Sequence, residues 1–580
     1  MNNKEMQLYG YLTYKLNWRI SNVDLDSGMG DFVIKKNGNG YIFYIMEKKD
    51  KNDYHEFNNF DELVNFIIDN YMLKEEDKKY LNNLLESQDV NYTMMTDLYE
   101  LTMSQVYLNK HKENEEAVFD VFFRKNPFDK GYGLMGGLHE IIEFIKNAHF
   151  SDEDIDYLRS LNIFDDDLLD YLRNFKFHGD IYAVPDGTPV FANEPILTVK
   201  APIIEAHIVE TLLLSYLNAG ILYLTASKRI TEAAGNTIVN EFGARRALGP
   251  EAAVMASTYS YMGGCNATSN VLAGKRNGVK VFGTISHGFI TSFKNEYDAF
   301  IAWVDLYPKN SFLLVDTYDV LGSGVPNAIK AAQYLRERGY ELQGIRIDSG
   351  DLAYLSKEAK RMFVEAGFPN VKICLSDGLT ESKIKELKEQ GAVIDSIGLG
   401  DNIVLPDKAR VGCVYKESAL KQDNEYKARI KVSNDAAKTI NPGYKKVYRL
   451  YDKDTGYALG DIIALHEENI PIDSFTLVDP NNDTNLTIVD NYEVEPLQKQ
   501  IFNKGELVYD EPSLEDKRNY CFEQMETLTP EIKAYDNPET YRVVLTEKLQ
   551  NLKKELLRKA KSMKSDCGKG KKLVKKRWGI

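Results

Sequence analysis

The strongest constraint on the fold of this chain is a repeated pairing of a short apolar run with a polar ending. The runs Ile238–Phe242, Val281–Ile285, Phe312–Val315, Gly344–Ile347, Val371–Leu375 and Ile394–Ile397 are apolar and rich in β-branched residues. Amphipathic helical stretches such as Pro326–Arg338 and Leu352–Ala366 lie between them. An alternation with a period of roughly 30 residues predicts parallel strands with crossover helices, as a barrel or an open doubly wound sheet. Polar residues follow each run: Arg245-Arg246, Ser286-His287, Asp316-Thr317, Asp348 to Asp351, Ser376-Asp377-Gly378, and Gly398 to Asp401. In a β/α barrel the loops after the strands converge on one mouth. Six runs ending the same way predict a shared site there.

The groups collected at that mouth restrict its chemistry. Arg245, Arg246 and Arg346 suit phosphate through bidentate pairing, and the Gly-rich turns suit it through backbone N–H cradles. The aspartates suit sugar hydroxyls or Mg²⁺. A phosphorylated sugar with a divalent metal is the first physical expectation. No GxGxxG follows a strand and no GxxxxGK[ST] is present, so neither a dinucleotide fingerprint nor a P-loop supports another reading. The five cysteines are scattered without a CxxC pair, and the eight histidines form no cluster. That fits reduced thiols in a cytosolic protein and shows no transition-metal site.

The flanks differ from this middle. Of the 580 residues, 1–88 are rich in Asn, Lys, Asp and Tyr, with a strand-like run at Tyr41–Met46 and a helix pattern near Phe60–Tyr71. They read as a small α+β module, joined by a polar linker around Leu73–Gln88. Thr96 or Asp97 can cap a helix carrying Leu98, Leu101, Gln105 and Leu108. Between Phe177 and Val199, short β-like runs broken by Pro185, Gly187, Pro189 and Pro195 predict an antiparallel, loop-rich sheet. No window approaches ~18 uninterrupted apolar residues, so no membrane span is expected. The net charge of −15 argues against nucleic acid as the main partner. It is uneven: residues 551–580 hold 12 Lys/Arg against 2 Asp/Glu, a local +10 that leaves −25 on the rest. The Lys-rich end, Lys569–Arg577, reads as a solvated, disordered tail.

The motifs at the mouth resemble those of the nicotinate phosphoribosyltransferase family. They are Glu241-Phe-Gly-Ala-Arg-Arg-Ala-Leu-Gly-Pro250, Thr268-Ser-Asn-Val-Leu-Ala-Gly274, Gly283-Thr-Ile-Ser-His287, Asp316-Thr-Tyr-Asp319 and Arg346-Ile-Asp-Ser-Gly-Asp-Leu352. Met95-Thr-Asp-Leu-Tyr-Glu-Leu-Thr-Met103 and Asn441-Pro-Gly-Tyr-Lys-Lys-Val-Tyr448 complete the series. The resemblance covers about residues 90–545 and leaves out 1–88 and the basic end. It implies an open-faced α/β domain (89–235, returning over 411–548) packed on an irregular β/α barrel (236–410), beside the N-terminal α+β module and a basic tail (549–580). The implied protein is a cytoplasmic homodimer with shared active sites. The implied reaction joins nicotinate to phosphoribosyl pyrophosphate, with Mg²⁺, and is coupled to ATP hydrolysis through a transient phosphohistidine, here His287.

By the same resemblance Phe242, Gly243, Arg245, Arg246, Ser269, Thr284, Asp316, Arg346, Asp348, Ser349, Asp351, Ser376, Asp377, Gly398 and Gly400 would bind substrates. Tyr99 would stack on nicotinate across a dimer interface. Several residues also have plainer readings. Arg346 could pair with Asp316, Asp351 could cap a helix, and Tyr99 could be a core aromatic. Asp316 and Asp348 are equal candidates for the acid that orients His287. Asp401 would repel phosphate from the glycine turn unless a Lys, Arg or Mg²⁺ intervenes. The related nicotinamide enzyme has an aspartate near the position of Ser269. A neutral serine there, with Arg245 or Arg246 nearby, favours nicotinate over the amide.

Overall fold

The computed structural model describes residues 20–21, 32–37, 40–45, 54–57, 60–70, 91–406, 410–432, 439–479 and 482–578. The chain divides into two compact units, Met1–Asn91 and Tyr92–Ile580. In the first, the strands Ile20–Ser21, Phe32–Asn37, Gly40–Ile45 and Tyr54–Phe57 form one sheet in that order. Helix Phe60–Asn70 buries Leu63, Val64 and Ile67, spaced to share one face. The expected linker at Leu73–Gln88 lies outside the described residues.

The second unit is built around a curled, parallel, six-stranded half-barrel. Its order is Ala267–Thr268, Ile238–Glu241, Ser396–Leu399, Lys372–Leu375, Gly344–Ile347, Phe312–Leu314. Every pairing in it is parallel. Helices Val325–Glu337 and Leu352–Glu365 cover it, close to the predicted stretches, and bury Ala328, Ala331, Leu335, Ala359 and Phe363. Two runs differ from expectation. Val281–Ile285 is not a strand: Val281 alone bridges Thr268, and the chain then lifts away through Gly283 toward His287. The strand paired there is Ala267–Thr268, too short for periodicity to register. The last strand also begins at Ser396, which places Gly398 inside the sheet opposite Asn240.

Two other sheets complete the unit. A seven-stranded sheet runs Glu425–Ala428, Val414–Gln422, Glu116–Phe122, Leu197–Pro202, Asp180–Ala183, Lys499–Asn503, Glu506–Leu507. It includes the antiparallel strands predicted before Val199, and the chain returns to it after the half-barrel. A smaller sheet joins Tyr492–Pro496, Lys445–Asp452, Ala458–Leu465 and Val543–Leu545. Arg449 and Asp461 meet there, fully buried, in a bidentate pair of 2.8 and 2.7 Å. Removing one partner of such a pair costs about 3–5 kcal/mol.

Helix Glu210–Ala234 runs between the cores and is apolar on several faces, burying Leu213, Leu217, Ile221 and Leu224. With the preceding turns it forms a stretch, Ile203–Ala234, long and apolar enough by length and composition to cross a membrane, although polar residues such as Glu205, Glu210 and Asn218 interrupt it. Most of it is buried within the protein. The segment expected as a basic tail instead continues the helix Glu547–Trp578. Its Leu, Lys, Glu and Arg are strong helix formers, and Leu549 anchors its first turn in the core.

Candidate functional site

The mouth of the half-barrel is organised by Asp316, which follows strand Phe312–Leu314. Its side chain is 1% exposed. Oδ1 lies 3.0 Å from His287 Nε2, while Oδ2 accepts the Asp348 N–H at 3.1 Å and the Ser349 hydroxyl at 2.7 Å. A carboxylate so placed acts only as acceptor. In the neutral imidazole it therefore fixes the proton on Nε2 and leaves the Nδ1 lone pair available. The acid left open by sequence is Asp316. His287 opens the short helix His287–Thr291, with Ser286 capping it through the Phe289 N–H, and its ring is 45% exposed.

Arg346, on strand Gly344–Ile347, is held in three directions. Nε donates to Ser376 Oγ at 2.8 Å, one terminal nitrogen to Thr284 Oγ1 at 3.1 Å, and the other to Asp348 Oδ1 at 2.8 Å. Ser376 also bonds Asp348 Oδ1. Arg346 thus pairs with Asp348 and not with Asp316, because Asp316 turns toward His287. Its guanidinium carbon lies 5.7 Å from the Phe242 ring centroid. A Cβ at Gly398 would meet that ring at 2.7 and 2.8 Å. Gly398 therefore admits the Phe242 ring from within a strand. Gly400 remains in the turn, where a Cβ would have room.

Glu241 is the residue of this region that sequence reasoning missed. It is fully buried at the end of strand Ile238–Glu241. Its carboxylate accepts from the Gly243 N–H, Ser257 Oγ and Thr268 Oγ1, and its carbonyl accepts the Ser269 N–H. It ties the turn carrying Arg245 and Arg246 to the loop carrying Ser269. Gly243 is required there, since a Cβ would meet the Gly400 oxygen at 2.7 Å. Arg245, Arg246 and Ser269 are exposed. Arg246 Nε pairs with Asp401 Oδ1 at 3.2 Å, which supplies the intervening cation that Asp401 needs.

Other candidates stand apart from this group. Asp351 is the N-cap of helix Leu352–Glu365 and accepts the Tyr354 N–H at 3.0 Å. Asp377 is exposed, with φ of +105°, a conformation L-residues rarely adopt. Asn402 steadies the adjoining turn by donating to the Gly378 and Leu379 carbonyls at 3.0 and 2.9 Å. Tyr99 is 45% exposed on helix Leu98–Asn109, so it is not a core aromatic. Its charged neighbours are Glu210, Glu100 and Asp97, none of them at the mouth, and burial with the Glu210 charge raises its phenol. Burial pushes Glu100 up to about 7. Lys416 lies beside Glu210 with Lys431 and Arg124 as further neighbours, and burial lowers its ammonium. That cationic group, separated along the chain, carries no motif that would reveal it. Among the described residues no set of three or more His, Cys, Asp or Glu could hold a metal.

Comparison with known proteins gives these motifs a family. Models of the nicotinate phosphoribosyltransferase N-terminal domain, the nicotinate phosphoribosyltransferase family and its C-terminal domain match residues 94–218, 238–449 and 444–553. The Bacillus subtilis protein named nicotinate phosphoribosyltransferase is 38% identical over 477 residues, covering 82% of this chain and 97% of its own length. Nicotinate phosphoribosyltransferase 1 of Arabidopsis thaliana is 35% identical over 519 residues, with 79% and 92% covered. The crystal structure of human nicotinic acid phosphoribosyltransferase aligns with a TM-score of 0.72 at 30% identity, covering 80% of this chain and 99% of that one. The family models begin at residue 94, outside the first unit. From Tyr92 onward, the chain belongs to the nicotinate phosphoribosyltransferase family.

Proposed function

We propose that the chain joins nicotinate to phosphoribosyl pyrophosphate, giving nicotinate mononucleotide and pyrophosphate for NAD biosynthesis. The observation that carries this reading is Arg346 locked by Thr284, Ser376 and Asp348 beside the Phe242 ring. The pyridine nitrogen attacks C1 of the ribose. The C1–oxygen bond to pyrophosphate breaks, pyrophosphate leaves with the electron pair, and the ring nitrogen becomes cationic without proton transfer. Phe242 offers a face to the pyridine. Exposed Arg245 offers a cation to the carboxylate or pyrophosphate, and Asp348 and Ser376 offer acceptors to the ribose. Neutral Ser269 supports the acid over the amide as substrate.

ATP hydrolysis is coupled through His287 in this reading. Nδ1 attacks the γ-phosphorus of ATP, the P–N bond forms, and the bond to the ADP oxygen breaks. Asp316 holds the Nε2 proton and stabilises the resulting cationic ring, and water later releases phosphate. Mg²⁺ fits only as an ion shared with substrate phosphates, because no all-protein cage exists among the described residues. Asp348 Oδ2 is the carboxylate oxygen of the group suited to it, and the ion would offset pyrophosphate charge.

Two chains form the working unit. Helix Leu98–Asn109 buries Leu101 and Ser104 but leaves Leu98, Tyr99 and Val106 exposed, together with Met95 before it. A second copy covering this apolar stripe would bring Tyr99 and the Arg124, Lys416 and Lys431 cluster to a neighbouring mouth. Incubating the full chain with isotope-labelled nicotinate and phosphoribosyl pyrophosphate, followed by mass spectrometry, tests the reaction. Labelled nicotinate mononucleotide is expected. Its absence with ATP and Mg²⁺ present would refute the assignment.

A further inference from the structure

Away from the mouth, a cavity of about 290 Å³ is lined by Lys130, Arg229, Glu381, Ser382, Asn402 and Tyr535, among others. Cations crowd one carboxylate beside it. Arg229 gives Nε and Nη2 to Glu381 at 3.1 Å each, and Lys385 reaches the same carboxylate at 3.4 Å. Lys130 and Lys385 lie 3.6 and 4.2 Å from the Tyr535 ring centroid. Arg229 and Lys385 therefore share Glu381, with Lys130 close by and donating to the Tyr535 carbonyl; Asp536 is a further carboxylate near Lys130 and Glu232 near Arg229. Arg229 has a side chain only 5% exposed, yet its Nη1 has no hydrogen-bond partner among the described residues. A buried guanidinium nitrogen left unpaired is costly, and an acceptor from the cavity that displaced the side chains covering it would relieve that cost. The positive end of helix Glu381–Glu389 meets the same cavity, with Ser382 on its first turn.

We propose that this cavity binds a phosphate dianion, either free phosphate or the phosphate of a monoester, and that the mouth senses it through Asn402. The volume, about ten times that of a water molecule, leaves room for the body of a monoester. Asn402 lines the cavity and also donates to the Gly378 and Leu379 carbonyls. Those residues continue the turn of Ser376, whose hydroxyl bonds Arg346 and Asp348. An anion gathered by Lys130, Arg229 and Ser382 would shift Asn402 and so the turn. The binding half is independent of the proposed reaction, while the coupling half rests on the mouth as read above.

Calorimetry on the full chain, with the mouth saturated by nicotinate mononucleotide and a non-hydrolysable ATP analogue, tests both halves. Inorganic phosphate and AMP are titrated separately. One further site per chain is expected. Tighter binding of AMP assigns a monoester, and equal or weaker binding assigns free phosphate. Lys130→Met should weaken binding about tenfold or more. Ser382→Asp puts a carboxylate where a helix start favours it, so the fold persists while the anion is repelled. In a separate titration of nicotinate mononucleotide, phosphate should change its Kd in the wild type and not in Ser382→Asp. No site beyond the mouth, or phosphate binding by Ser382→Asp equal to wild type, overturns the proposal; an unchanged Kd in the wild type overturns the coupling. A chain that binds phosphate here but makes no mononucleotide would refute the reaction and leave the pocket intact.

Discussion

Replacing Asp316 by Asn probes the one hydrogen-bond arrangement on which the proposed use of ATP depends. The carboxylate, 1% exposed, accepts from three donors: His287 Nε2, the Asp348 N–H and Ser349 Oγ. An amide can accept on one side only. If its NH₂ faces the Asp348 N–H, two donors meet in a buried place, at a cost of about 1–3 kcal/mol. If its NH₂ faces His287, Nε2 must accept and the ring proton moves to Nδ1, which removes the nucleophile. The same wrong-tautomer substitution behind a catalytic histidine lowers turnover about 10⁴-fold in serine proteases. ADP release from ATP should therefore fall by about 10³–10⁴-fold. Condensation of nicotinate with phosphoribosyl pyrophosphate without ATP needs no Nδ1 lone pair and should change by less than about tenfold. Both rates can be followed in the same preparation by coupled assays of ADP and pyrophosphate. ATP hydrolysis within tenfold of the wild type would refute the role given to Asp316.

Other substitutions test separate parts of the account. Gly398→Ala sets a Cβ 2.7 Å from the Phe242 ring. It should cost about 1–3 kcal/mol in a thermal melt and raise the KM for nicotinate. Glu241→Gln leaves at least one of three buried donors unpaired. The midpoint of denaturant unfolding should fall accordingly, by about 1–3 kcal/mol. Asp401→Ala frees Arg246 from an exposed pair. Stability should change by less than about 1 kcal/mol, while the KM for phosphoribosyl pyrophosphate falls. The Glu511 carboxylate holds the half-exposed His139 imidazole up to about 9. The folded state thus retains a proton that the unfolded chain releases near 6.5. This stabilisation is complete below that pH and is lost as pH rises through about 9. The melting temperature should fall over that window, and His139→Gln should flatten the fall.

The half-barrel was legible because β-branched runs and amphipathic helices alternate with one period and end alike. That pattern could not reveal Ala267–Thr268, a strand of two residues, nor the chain lifting away at Gly283, because pairing and not composition decides those positions. The two-residue shift of the last strand made Gly398 a place for the Phe242 ring. Local motifs brought His287, Thr284, Arg346, Asp348 and Ser376 into view as one group. Their partners were hidden: Asp316 follows His287 by 29 residues and Asp401 follows Arg246 by 155, and no spacing rule connects such distances. Glu241 stood inside a recognised motif, but only its burial and three donors show what it does. The cations Arg124, Lys416 and Lys431 come from different strands and loops, so only the folded chain shows Arg124 and Lys431 as neighbours of Lys416, and Lys416 as a neighbour of Glu210.

The central claim is that the Arg346–Asp348–Ser376 group beside Phe242 serves the acid form of the pyridine. The most direct measurement is the initial rate of pyrophosphate release from phosphoribosyl pyrophosphate with nicotinate and with nicotinamide, side by side. The account predicts release with nicotinate and a much higher kcat/KM for it than for the amide. Equal or greater turnover of nicotinamide, or no release with either, would contradict it.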